Sequence, residues 1–325
     1  MDKSKIIILA GPTAVGKTEL SIRLAKQINA EIISADSMQV YRGMDIGSAK
    51  ISICERQEVR HYLIDCMDPN EEFNVAVFQK MAQEAIQMIQ DHHKIPMIVG
   101  GTAFYIQAFL KGVDFTQEQN AYTDEYRESL QTIAKQEHGT DQLFLMLQKE
   151  DPEYAKQVHE NNVKRVIRAL EYKHHTGMKF SDYNEVQKNK EDIYDSIYFV
   201  LTQERTKLYE AINKRVDTMM EMGLLDEVKK LRASGLKATD VSMQGLGYKE
   251  LLSYLEGEDS LEDAVNLIKQ DTRHFAKRQL TWFRREEHAI WISRDEYGND
   301  TERILQKMME EIGAADGRDN RSRRR

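Results

Sequence analysis

The run KIIILAGPTAVGKT at 5–18 constrains the fold more than any other part of the chain. After Lys5 it is continuously apolar to Ala10, β-branched at Ile6, Ile7 and Ile8, and it stops at Gly11. That is the pattern of a strand buried on both faces of a parallel sheet. Gly11, Pro12, Thr13, Ala14, Val15, Gly16, Lys17 and Thr18 then complete a P-loop, and Leu20, Leu24 and Ile28 follow at helical spacing. The glycines let backbone N–H groups turn inward around a phosphate. The following helix adds the positive end of its dipole, Lys17 a mobile cation and Thr18 a hydroxyl for Mg²⁺. A glycine-rich turn with an unrelated lysine leaves the strand before it and the helix after it unexplained. Residues 11–18 are therefore expected to bind a diphosphate-like group, with Thr18 as the metal-ligating position.

The rest of the chain extends this beginning. AEIISA (30–35) and IPMIV (95–99) read as further buried strands, and Val75, Phe78, Ala82, Ala85, Ile86 and Ile89 mark an amphipathic helix between them, started by Asn74 or Glu71. The alternation predicts an α/β fold: a P-loop NTPase-like core with a parallel sheet flanked by helices. From 115 to 190 no strand pattern is present, and Asp151-Pro152 marks a helix start, so an inserted all-helical subdomain is expected there. IYDSIYFVL (193–201) returns as a strand, helices follow at 204–222, 224–233, 247–256 and 260–285, and WIS (291–293) is a last short strand. The core is thus assigned to 1–114 and 191–312. The small, polar and basic segment 313–325 is expected to be a disordered tail.

Composition sets limits on function. Nothing in the chain reads as a secretory signal, and no apolar run nears the roughly 18 residues of a membrane span. Two cysteines, Cys54 and Cys66, make no disulfide framework and show no metal-ligand spacing, so a reducing cytoplasm is expected. His61, His92, His93, His174 and His175 lack partners at ligand spacing, and no zinc is assigned. The net charge of −8 hides local basic stripes. Lys164, Arg165, Arg168 and Lys173 lie in one, and Arg273, Lys277, Arg278, Arg284 and Arg285 in another. Such stripes either solvate a helix face or grip a polyanion.

A P-loop does not name its chemistry. A GTPase needs an Asn-Lys-x-Asp motif, and Asn213-Lys214 continues instead as Arg215-Val216. A typical P-loop ATPase ends an apolar strand in a Mg²⁺-binding acid. IPMIV ends in Gly100-Gly101-Thr102, and the acid stands at the end of the second strand, in Asp36-Ser37-Met38-Gln39. Strand carboxyl ends face the ligand crevice of such a sheet, so Asp36 should face the cradle. It is either a catalytic base or the former of an Asx turn, and Thr102 is either a site residue or a helix cap.

Several stretches together resemble the bacterial tRNA dimethylallyltransferases: GPTAVGKT, ISADSMQVYRGMDIGSAK (33–50), HYLID (61–65), VGGTAFYIQA (99–108), DPEYA with NNVKRVIRALE (151–171), QGLGYKEL (244–251) and KRQLTWFR (277–284). They run in family order over nearly the whole chain. Departures are small: Val15 stands where serine is frequent, and Asn162-Val163-Lys164 replaces an Asp-x-Gln sequence. The resemblance implies transfer of a dimethylallyl group from its diphosphate to N6 of adenosine 37, in tRNAs reading codons that begin with U. It implies Asp36 as general base, with Lys17, Thr18 and Arg215 acting on the diphosphate and Mg²⁺ as cofactor. It also assigns tRNA contacts to Asp36, Ser37, Met38, Gln39, Thr102, Arg127, Lys164, Arg165 and Arg168, and to Gln244, Gly245, Gly247, Tyr248, Lys277, Arg278, Gln279, Trp282 and Arg284. Residues 115–190 would be a tRNA-binding subdomain. Without the resemblance, Arg215 reads as a surface helix residue, 244–248 as a loop before a helix and Trp282 as core. The partners expected are a tRNA anticodon stem-loop and dimethylallyl diphosphate, with a monomer as the simplest state and no membrane. The main rival is a P-loop kinase, which leaves GGTAFYIQA, the insertion and KRQLTWFR without a role. The others are a prenyltransferase acting on free nucleotide and a non-enzymatic RNA-binding protein.

Overall fold

The computed structural model describes residues 3–113 and 124–322. They divide into two compact units, one comprising residues up to Ala108 and from Tyr194 onward, the other Phe109–Ile193.

The first unit is built on one parallel sheet. Its strands are β1 (Lys5–Ala10), β2 (Ala30–Ala35), β3 (His61–Tyr62), β4 (Ile95–Gly100), β5 (Asp195–Thr202) and β6 (Ile290–Ser293), in the spatial order β3-β2-β4-β1-β5-β6. The central strand β1 has Leu9 paired with Val99 of β4 and Phe199 of β5, and Ile6 to Ala10 are fully buried. A strand enclosed by partners and covered on both faces has no solvent side, which is why its sequence does not alternate. Because every pairing is parallel, the carboxyl ends of the strands share one edge. From it emerge the P-loop after β1, Asp36 after β2, Gly101 after β4 and Arg294 after β6.

Helices cover the sheet: α1 (Lys17–Gln27), α2 (Val75–Asp91), α3 (Ala103–Leu110), which runs across the boundary between the units, and the later set described below. Asn74 is the start of α2, its side chain accepting from Ala76 N (3.0 Å) and Val77 N (3.1 Å). The buried Glu31 of β2 accepts from Tyr62 Oη (2.7 Å) and Lys94 Nζ (3.0 Å) and meets His92 Nδ1 at 3.1 Å. Burial raises its pKa, but these bonds outweigh it and hold the carboxyl below its usual value.

In the second unit α4 (Asp124–Ala134), α5 (Gly139–Glu150), α6 (Pro152–Ala155), α7 (Val163–Thr176) and α8 (Phe180–Lys188) pack around Leu130, Leu143, Leu147, Val166, Leu170 and Phe180. Asp151 is fully buried and caps α6 through Tyr154 N (3.1 Å), while Ser181 N and Oγ reach its carboxylate at 2.8 and 2.7 Å. The unit begins and ends outside the expected 115–190 because its ends are tied together. Ile193 N donates to Leu110 O (2.8 Å), and Lys111 Nζ donates to Lys190 O (2.8 Å) and pairs with Asp192 (3.0 Å). The junction expected at 114–115 lies outside the described residues.

The chain returns through β5 to α9 (Arg205–Glu221), α10 (Leu224–Ala233), α11 (Tyr248–Glu256), α12 (Leu261–Phe283) and α13 (Thr301–Ser322). Helix α13 is described as far as Ser322, and its earlier turns bury Ile304, Leu305, Met308 and Ile312. Residues 323–325 lie outside the described residues. Among the described residues no helix is long and apolar enough to cross a membrane.

Candidate active site

A cavity of about 760 Å³ opens at the carboxyl edge of the sheet. Its walls include Thr13, Gly16, Lys17 and Thr18 from the P-loop, Asp36 to Gln39 after β2, Gly100 to Thr102 after β4, and Arg215 from α9.

Lys17 donates from Nζ to Gly11 O (2.8 Å) and Pro12 O (2.7 Å). Burial is the main force lowering its pKa, to about 7. Arg215 lowers it further, and Asp36 opposes both. Burial also lowers the guanidinium of Arg215, again against Asp36. Two desolvated cations thus share one carboxylate, and an incoming dianion would relieve the imbalance. Ala14 adopts a left-handed backbone (φ 63°), a conformation that costs a non-glycine residue energy and clusters at functional sites.

Asp36 forms the Asx turn and also faces the cavity. Its Oδ1 accepts from Met38 N (2.9 Å) and Gln39 N (3.3 Å), which makes it an Asx turn former. Its Oδ2 accepts no hydrogen bond among the described residues, and the residue lines the cavity. Ser34 Oγ donates to Gln39 Oε1 (3.3 Å), and Gln39 Nε2 donates to Ser48 O and Ala49 O, both at 3.4 Å. Thr102 N donates to Ala35 O (3.2 Å) at the same edge.

The residues assigned to tRNA fall into different settings. Lys164 and Arg165 are exposed on α7, and Arg168 lies over the Phe180 ring at 5.7 Å. Lys277, Arg278 and Arg284 are exposed on α12 and just beyond it. Arg127 is engaged with the buried Glu171, Nε to Oε1 at 2.8 Å. Trp282 is half-buried rather than core, 6.0 Å from the Phe104 ring with Arg285 above it at 4.6 Å. Gln244 is exposed and Gly245 packs near Met38, both at the cavity. Gly247 is buried, as is Tyr248, whose hydroxyl donates to Glu227 (2.8 Å).

Gln279, given a tRNA contact by the resemblance, has its side chain buried at the cavity wall. Its Oε1 accepts from Thr13 N (3.0 Å) and its Nε2 donates to Gly101 O (2.9 Å), so it ties the P-loop to the end of β4. Any side chain at position 101 would strike this amide, which explains the second glycine of GGT. Arg294 was missed from the sequence. It donates to Val15 O (3.1 Å) and lies against Gly16, bracing the loop from the end of β6. Its place after the short strand WIS was the signal available.

The IPP transferase family profile matches residues 39–286.

The chain belongs to the IPP transferase family.

It is 54% identical over 304 residues to the tRNA dimethylallyltransferase of Lachnoclostridium phytofermentans, covering 94% of this chain and 96% of that protein. The tRNA dimethylallyltransferase of Carboxydothermus hydrogenoformans is 48% identical over 309 residues, covering 95% and 97%. Among solved structures, the tRNA isopentenylpyrophosphate transferase of Bacillus halodurans is similar with a TM-score of 0.72 and 41% identity over 96% of both chains. A eukaryotic dimethylallyltransferase acting on tRNA gives a TM-score of 0.77 at 32% identity, covering 89% of this chain and 74% of that one.

Proposed function

We propose that this IPP transferase moves a dimethylallyl group from dimethylallyl diphosphate to N6 of adenosine 37, in tRNAs reading codons that begin with U, and releases diphosphate. The observation that carries the reading is one cavity holding both a P-loop with two desolvated cations and a carboxylate at the end of β2, while β4 ends in glycine.

An exocyclic amine is a weak nucleophile because its lone pair feeds the ring. As the N6–C1 bond forms, the C1–O bond to diphosphate breaks and the amine must lose a proton. Asp36 accepts that proton while its other oxygen holds the turn. The charge leaving with the diphosphate meets Lys17, Arg215 and the N–H groups of the loop, placed before the reaction begins. The C5 chain leaves water against apolar side chains that line the same cavity, among them Ile51, Ile64, Val99, Met219, Ile268 and Phe275. The Thr18 hydroxyl is a hard oxygen donor at the cavity, and with water and diphosphate oxygens it suits Mg²⁺. Bound there, Mg²⁺ would spread the diphosphate charge.

The adenine must leave its stack to reach Asp36. Gln39 carries an amide suited to a base edge, and the exposed Lys164, Arg165, Lys277, Arg278 and Arg284 suit phosphates of the anticodon stem-loop. Arg127, paired with Glu171, is a further candidate tRNA contact. A single chain working in the cytoplasm completes the reading.

The test incubates the protein with unmodified tRNA, Mg²⁺ and either dimethylallyl diphosphate or ATP, with AMP as a second acceptor, and weighs the products. One C5 unit gained on a tRNA adenosine is expected. A phosphoryl group gained with ATP would establish the kinase instead, and prenylation of AMP alone the free-nucleotide enzyme.

A further inference from the structure

Three successive backbone N–H groups in the loop after β2 converge on one carboxylate. Glu227, in the first turn of α10, accepts from Asp45 N (2.9 Å) and Ile46 N (2.8 Å) at Oε2 and from Gly47 N (3.1 Å) at Oε1. The Tyr248 hydroxyl adds a fourth bond to Oε1 (2.8 Å), and the Ser48 N–H interacts with that same phenol oxygen. Consecutive N–H groups of this kind form an anion-binding nest. Here the protein supplies the anion itself, from a helix about 180 residues further along the chain.

The turn held in this way feeds the cavity. Gly47, Ser48 and Ala49 line it, and the carbonyls of Ser48 and Ala49 hold the amide of Gln39. The approach is close enough that a Cβ at Gly47 would lie 2.5 Å from Tyr248 Cζ, well inside contact distance. Position 47 is therefore glycine because the Tyr248 ring lies against its backbone. Tyr248, deep in the fold and beside Glu227, stays a neutral hydrogen-bond donor because both burial and that carboxylate push its pKa far above the usual value.

We infer that Glu227 is a positioning residue for the acceptor side of the reaction: with Tyr248 it clamps residues 45–48, and through them it sets the orientation of Gln39 against the incoming base. This rests on the reading that 36–39 meet the tRNA base. The P-loop is braced separately by Gln279 and Arg294, so the clamp should act on tRNA and leave the diphosphate alone.

The test compares E227A, E227Q, E227D and G47A with the wild type at a temperature where all remain folded. Removing the carboxylate should raise KM for tRNA and lower kcat/KM for tRNA by about 10- to 100-fold, the scale of a mispositioned contact, with affinity for dimethylallyl diphosphate unchanged. E227Q should show only part of the loss, since its amide oxygen can still accept from one pair of donors while its NH₂ faces the other pair and cannot accept, and E227D should also recover part of the loss. G47A attacks the same clamp from the tyrosine side and should reproduce the pattern. Hydrogen exchange of the 45–47 amides should quicken in E227A. An E227A protein whose exchange is unchanged, or whose tRNA kinetics match the wild type, overturns the inference, as does an equal loss of diphosphate affinity. A wild-type protein without transfer would instead fail the functional reading, and the exchange measurement would still decide the clamp.

Discussion

Two loops leave the same edge of the sheet, the P-loop at 11–18 and the longer loop at 36–50, and each presents backbone N–H groups around a turn. In the longer loop those groups are taken by Glu227, a carboxylate of the protein. Around the P-loop the nearby side chains are cations, Lys17 and Arg215, with Asp36 acting as counter-charge to both. Gln279 and Arg294 hold that loop without placing an acid in it. The same backbone chemistry therefore yields a rigid support where the chain provides the anion, and a substrate cradle where cations gather instead.

The sharpest way to break this comparison is at Asp36, which stands between the loops. D36N keeps an oxygen for the Met38 and Gln39 amides and removes the proton acceptor. Transfer should fall by about 10²- to 10⁴-fold while tRNA binding persists, as read by single-turnover kinetics and a binding assay. Next in size, R215Q should lower kcat by about 10²- to 10³-fold and weaken dimethylallyl diphosphate, with KM for tRNA little changed; an equal loss on both substrates would dissolve the division between the loops. A smaller effect, about 10-fold in kcat/KM for the diphosphate, is expected for Q279A, which frees Thr13 N and Gly101 O at a cost on the order of 1–3 kcal/mol of stability. Q279E should behave similarly, since a carboxylate cannot donate to Gly101 O.

Much of this was legible in the residues. KIIILA announced a buried central strand because a strand without a wet face has no reason to alternate. The P-loop, Asp36 after the second strand and the buried cap at Asp151 followed from local chemistry. The two-residue strand β3 is too short to carry a period, and it exists because His61 and Tyr62 pair with Ile32 and Ile33. The bracing role of Gln279 was hidden because it sits between Arg278 and the rest of a cationic stripe. Yet Ala276, Gln279 and Phe283 lie at i, i+3 and i+7 on the buried face of α12, and that spacing was a readable sign that its amide points inward. Tyr248 shares a buried face with Leu251 and Leu252 in the same way. Glu227 and Arg294 act on loops about 180 and 279 residues away in sequence, and no local pattern specifies such a pairing.

The central claim is that the P-loop side carries a desolvated lysine which a diphosphate recharges. With its pKa lowered to about 7 in the fold, Lys17 is mostly neutral at pH 8 and mostly charged at pH 6. An anion raises that pKa, so binding at pH 8 must draw a proton from solution. Calorimetric titration of dimethylallyl diphosphate, without tRNA, in buffers of different ionisation enthalpy measures this directly. The account predicts uptake approaching one proton per site at pH 8, little at pH 6, and its loss in K17M. Binding at pH 8 with the same proton balance in wild type and K17M would contradict it.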